Sequence, residues 1–101
     1  MTLFTKRPHE EIFRYHEFRR SDGRGWLNDE EALAECTVTA AEKKTGTDVT
    51  SAMISLAAVY NDTAVRYLVA GGASGTSYVI TIRAVTSNAQ KFDDRVECMV
   101  L

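Results

Sequence analysis

Two imidazoles, His9 and His16, and two thiols, Cys36 and Cys98, are the side chains of this sequence that could serve as base and nucleophile near neutral pH. Their spacing assembles no known arrangement. Ser21 and Asp22 follow His16 closely, yet no serine stands at a nucleophile elbow or at triad spacing. On a strand, His16 reads as a surface or edge side chain. Both cysteines fall on the apolar phase of their strands, where a thiol behaves as a small inert hydrophobe. A catalytic reading would pair His16 with Cys36 or Cys98, and it ranks below every alternative that follows. Zinc would need clustered Cys and His ligands, and neither cysteine has a second ligand at close spacing. The expectation is therefore no catalytic residue, no metal and no cofactor. Without an export signal, two reduced buried thiols are favoured over a disulfide.

Other groups are weighed in the same way. Gly71-Gly72-Ala73-Ser74-Gly75-Thr76 is rich enough in glycine for a phosphate loop. Such a loop needs a following helix, whose N-terminal amides hold the anion, and usually a lysine. Here an alternating segment follows and the next lysine is Lys91, so the glycines read as a connection that needs positive φ or tight turns. The carboxylates come in runs, Asp29-Glu30-Glu31 and Asp93-Asp94. Neighbours on a strand point to opposite faces, which suits neither a shared proton nor a shared calcium. The most unusual composition is basic and aromatic: Lys6, Arg7, Arg14, Arg19, Arg20 and Arg24, with Phe13, Tyr15 and Phe18 between them. Charge and stacking could bind nucleic acid. Glu10, Glu11, Glu17 and Asp22 interleave and cancel much of that field, which favours a docking segment for a protein partner. Arg14, Tyr15, Arg19 and Arg20 are its candidate contacts.

The elements that would position these residues are mostly strands. Residues 1–10, charged and bearing Pro8, read as an exposed arm. Residues 11–18 read as extended, with Ile12, Arg14, His16 and Phe18 on one face and Phe13, Tyr15 and Glu17 on the other. A glycine-containing loop leads to the apolar anchor Trp26-Leu27, and Asn28 with Glu31 fits a capping box. Ala34, Cys36, Val38 and Ala40 then alternate with Glu35, Thr37, Thr39 and Ala41. Residues 49–60 form a weakly patterned strand of open register, and Asn61-Asp62 turns the chain. Val65, Tyr67 and Val69 alternate with Arg66 and Leu68. Tyr78, Ile80, Ile82 and Ala84 alternate with Val79, Thr81, Arg83 and Val85. Ser87 to Gln90 is a hairpin turn, after which Val96, Cys98 and Val100 face inward. Five or more short strands, with no strong amphipathic helix, make the chain all-β.

Composition sets the outer bounds. The 101 residues carry 12 basic and 14 acidic side chains, a net charge of -2, and are 45% hydrophobic. That is one domain, long enough to bury about 65% of its unfolded surface without metal or disulfides. A strongly basic nucleic-acid domain is excluded. The charged start offers no signal peptide, and the uncharged stretch from Val49 to Tyr60 is too short to span a bilayer.

Two resemblances add to this reading. Gly75-Thr76-Ser77-Tyr78-Val79-Ile80-Thr81-Ile82-Arg83-Ala84 resembles the tyrosine corner of fibronectin type III and other immunoglobulin-like sandwiches, in which the ring packs in the core and the hydroxyl bonds a backbone group of the preceding loop. Over most of the chain, the order of Lys6-Arg7-Pro8-His9-Glu10, the aromatic segment, Trp26-Leu27, Ala70-Gly71-Gly72, the Gly75 to Tyr78 corner and a closing strand from Val96 to Val100 is similar to small tailed-phage or prophage virion proteins, namely fiber-tail adaptors and related neck and tail components. The resemblance implies an immunoglobulin-like β-sandwich of about seven strands over residues 21–101, preceded by an N-terminal arm or edge segment, residues 1–20. It gives Tyr78, Trp26, Leu27, Gly71, Gly72 and Gly75 structural roles. It implies a non-enzymatic component of the virion, assembled in the bacterial cytoplasm, that contacts other virion proteins and packs in a homo-oligomeric ring, with neither nucleic acid nor membrane as partner. The rival from another class is a host-encoded binding module that presents loops to a protein or glycan.

Overall fold

Alternation of apolar and polar residues, dense in β-branched side chains, builds strands that must bury one face. The computed structural model describes residues 2–18 and 32–101. In chain order these form β1 (Thr2–Lys6), β2 (Ile12–Glu17), β3 (Leu33–Glu42), a single helical turn α1 (Thr50–Met53), β4 (Ile54–Tyr60), β5 (Ala64–Val69), β6 (Ser77–Thr86) and β7 (Lys91–Val100). They make a four-stranded sheet in the order β1-β7-β6-β3 and a three-stranded sheet in the order β2-β5-β4. Every pairing is antiparallel except that of β1 with β7, which run parallel with Thr2 opposite Val96 and Lys6 opposite Val100. The chain is all-β, as its patterning indicates.

The two sheets share one core. Tyr78, Ile80, Ile82 and Ala84 of β6, Val65, Tyr67 and Val69 of β5, and Val96, Cys98 and Val100 of β7 are buried in it together. These are the inward phases read from the sequence, and each aliphatic side chain so buried contributes about 1.5–3 kcal/mol. The phase fails in β3. Val38 and Ala40 are buried and Cys36 half-buried, but Ala34 is exposed and Leu33 takes the inward place. A register shift against β6 between Leu33 and Glu35 is the cause, since one extra residue turns a side chain to the other face.

Residues 49–60 are a helical turn followed by a bulged strand. Ser55 lies opposite Leu68 and Ala58 opposite Arg66, so β4 carries one residue more than β5 over this stretch. Leu56 sits at the bulge with φ 55°, a left-handed conformation that costs a non-glycine residue about 1–2 kcal/mol. The Asn61-Asp62 turn has φ 50° and 63°, which asparagine and aspartate tolerate best.

The first residues are no free arm. β1 is the outermost strand of one sheet and β2 the outermost strand of the other. Charge misleads at Lys6. Its side chain is 1% exposed, and its ammonium turns inward to donate to the carbonyls of Gly71 and, at 2.8 Å, Arg7. The boundary between residues 20 and 21 falls among residues 19–31, outside the described residues.

Tyr78 is buried at the start of β6, and its hydroxyl accepts a hydrogen bond from the Ala73 N–H at 2.9 Å. The loop before it turns on Gly71, Gly72 and Gly75, with φ of 66°, 94° and 79°. Replacing Tyr78 by phenylalanine leaves the Ala73 amide without that acceptor and is expected to lower stability by about 1–3 kcal/mol in urea unfolding. An unchanged midpoint would show that the bond has no net effect.

Candidate docking surface

The outer faces of the two sheets differ in chemistry. On the four-stranded sheet the phase opposite the core is mixed: Thr37, Thr39, Thr81, Arg83, Asp93 and Arg95 lie beside Val79, Val85, Met99 and the exposed Leu3. On the three-stranded sheet the same phase is aromatic. β2 alternates strictly, so that Ile12, Arg14 and His16 turn in and Phe13, Tyr15 and Glu17 turn out. Phe13 is 45% exposed, Tyr15 54% and, from β4, Tyr60 40%.

Register sets these rings around one cation. Tyr15 lies opposite Arg66 and Phe13 opposite Leu68 on the central strand β5. The Tyr15 and Tyr60 rings, from the two outer strands, meet edge to face with centroids 5.0 Å apart. Ala64, two residues before Arg66 and so on the same side of β5, is small enough to leave them room. The Arg66 guanidinium stands 5.0 Å from the centroid of Phe13 and 5.8 Å from that of Tyr60. Its Nε is buried and has no hydrogen-bond partner. Tyrosine and arginine beside phenylalanine, half out of water, are the side chains that dominate protein interfaces.

The candidate contacts named from the sequence divide. Tyr15 is on this face. Arg14 is on the opposite phase, with its guanidinium 4.1 Å above the Phe4 ring of β1, so it packs between the sheets and is withdrawn from any partner on the aromatic face. Arg19, Arg20, Trp26, Leu27, Ser21, Asp22, Arg24, the run Asp29-Glu30-Glu31 and the Asn28 capping box lie outside the described residues. Sequence reasoning passed over Arg66 and Tyr60 because their significance depends on which strands pair. Phe13 was visible on the right phase.

Inside, His16 Nε2 lies 3.1 Å from Asp94 of β7, linking the two sheets. Burial lowers the imidazole's pKa below its ordinary value, outweighing the Asp94 carboxylate that would raise it. Burial likewise pushes both the Cys36 and Cys98 thiols up, away from the thiolate that nucleophilic chemistry needs. Burial also raises the Tyr67 hydroxyl, against a hydrogen bond with Arg14 that lowers it. On β6, Cys36 faces Ala84 and Cys98 faces Tyr78. Those partners are six residues apart, about 20 Å along a strand, far beyond the reach of a disulfide. The glycine loop runs into strand β6, not a helix. Among the described residues, no three of His, Cys, Asp and Glu are grouped to hold a metal ion, and no helix is long and apolar enough to cross a membrane.

No curated protein matches the chain. The family model described as podophage GP4 fiber-tail adaptor protein gp77 matches residues 8–99, a span that takes in β2 to β6 and all of β7 except Val100. The chain belongs to the podophage fiber-tail adaptor family, a family of structural components of the phage virion.

Proposed function

We propose that the chain is a non-catalytic adaptor that works by protein–protein contact, and that it docks on other virion proteins through the outer face of the three-stranded sheet. The observation that carries this reading is the exposed Phe13, Tyr15 and Tyr60 set around Arg66. The fold reading goes with it: an immunoglobulin-like sandwich. Its support is the strand order, with β2-β5-β4 matching the B-E-D strands and β3-β6-β7 the C-F-G strands. The first strand is then transferred to the edge of the last, and Tyr78 begins the strand that would carry the corner tyrosine. A homo-oligomeric ring in the assembled particle belongs to the same reading, as do an N-terminal edge segment over residues 1–20 and assembly in the bacterial cytoplasm.

Sedimentation tests the face. Particles prepared from a phage lacking this gene are mixed with purified protein, and the bound fraction is measured across concentration. Wild-type protein is expected to sediment with them, and the Phe13→Ala, Tyr15→Ala double variant to bind at least about tenfold more weakly. Equal binding by a double variant that is folded would remove the aromatic face from the docking surface.

A further inference from the structure

We infer that Arg66 is the anchor of this surface and that its ligand is a carboxylate, an Asp or Glu side chain set among apolar residues on another virion protein. The inference rests on the docking role proposed for the face. Its own ground is the state of the guanidinium.

A guanidinium has five N–H donors and no acceptor. On this face it is screened by the Phe13 and Tyr60 rings, and its Nε is buried with no partner. Among the described residues no carboxylate lies within ion-pair distance of it, the pairs being His16 with Asp94 and Lys43 with Glu97. The nearest acid in sequence register on the same face, Glu17, accepts from the Thr63 hydroxyl at 3.2 Å. An unmet donor out of water is a cost to the isolated fold. The Nε is covered by the chain itself, as is that of Arg14, so a partner meets Arg66 at its two terminal nitrogens: a planar carboxylate accepts two parallel N–H···O bonds there, and the flanking rings exclude the water that would weaken them. The rings also select what surrounds the acid: Phe13, Tyr15 and Leu68 need apolar neighbours to cover them. The strained Leu56, 64% exposed at the bulge of β4, adds an apolar side chain on the outer strand of the same sheet. Phosphate would fit the guanidinium equally, but the aromatic collar and the net charge of -2 favour an apolar acidic segment over a nucleic-acid backbone.

Two variants test this with the adaptor-deficient particles. Arg66→Met keeps the length of the side chain and removes the unmet donor. It is expected to unfold at the same temperature as wild type or higher, and to bind the particles about 30-fold more weakly or worse, the loss typical of truncating one side of a buried charge pair. Arg66→Lys replaces the fork by an amine that carbodiimide can join to a carboxylate. After treatment of the bound complex, mass spectrometry is expected to find the introduced amine linked to an Asp or Glu of a different virion protein. Full binding by Arg66→Met overturns the anchor. Bound Arg66→Lys with no such link overturns the carboxylate. A link to a carboxylate of this chain or of a second copy overturns the partner assignment, and binding abolished by nuclease overturns it in favour of nucleic acid. Failure of wild-type protein to sediment at all would instead refute the docking role itself, so the two failures are distinguishable.

Discussion

Gly72→Ala is expected to lower the free energy of unfolding by about 2–5 kcal/mol, the sum of a left-handed backbone cost of about 1–2 and an overpacking cost of about 1–3. Gly72 has φ 94°, and a Cβ built on it would stand 2.7 Å from Val100 Cγ2, 3.3 Å from Tyr78 Cε2 and 3.4 Å from Met53 Cε. None of the three neighbours can withdraw easily, since Val100, Tyr78 and Met53 are all buried in the core. Gly75 supplies the control. Its φ is 79°, but nothing lies within 4 Å of the position a Cβ would take, so Gly75→Ala is expected to cost only the backbone share. The difference between the two variants in urea unfolding measures the clash. Equal losses would show that the core around Gly72 yields freely.

Removing residues 2–10 is expected to abolish cooperative folding, which differential scanning calorimetry would register as loss of the unfolding peak. The deletion takes away β1, and with it the ladder from Thr2–Val96 to Lys6–Val100. Phe4, packed against the core, goes too, and so does the ring beneath Arg14. Loss of Lys6 leaves the Gly71 carbonyl without its donor, directly beside the crowded Gly72. Burial of Phe4 and several backbone bonds, each modest alone, together approach the 5–15 kcal/mol that holds a domain of this size. A truncated protein that still melts cooperatively would show that the segment is dispensable after all.

These two expectations also mark what the amino-acid pattern could and could not convey. β5, β6 and β7 were readable because their inward positions hold Val, Ile, Tyr and Cys in a period of two, with charged or hydroxyl residues such as Arg66, Thr81, Arg83 and Arg95 on the other phase. The tight turns at Asn61-Asp62 and Ser87 to Gln90 were readable from residue type. Bulges were not: the shift at Leu33/Glu35 and the extra residue near Leu56 change the phase without any marker in composition. In residues 49–60 small side chains erase the contrast that alternation needs. Lys6 and Arg14 misled for a common reason. A cationic side chain is assumed to seek water, but both have long apolar stems that pack inward while the polar ends find carbonyls or a ring. The docking face was half visible. Phe13 and Tyr15 share a phase within one strand, whereas Arg66 and Tyr60 join them only through the pairing of β2 and β4 with β5. The pairing of β2 with β5, distant in sequence, leaves no local trace, and the bulge in β4 hides the phase of Tyr60.

The parallel pairing of β1 with β7 has a mechanical consequence. Because the strands run side by side in the same direction, a force that pulls Thr2 one way and Val100 the other acts along the ladder and not across it. Such a load is shared by the evenly spaced bonds of all five residue pairs at once. An antiparallel hairpin pulled from its open end would instead unzip, its bonds breaking in succession. Tension applied between these two strands is therefore met in shear, the direction in which a short ladder is hardest to break.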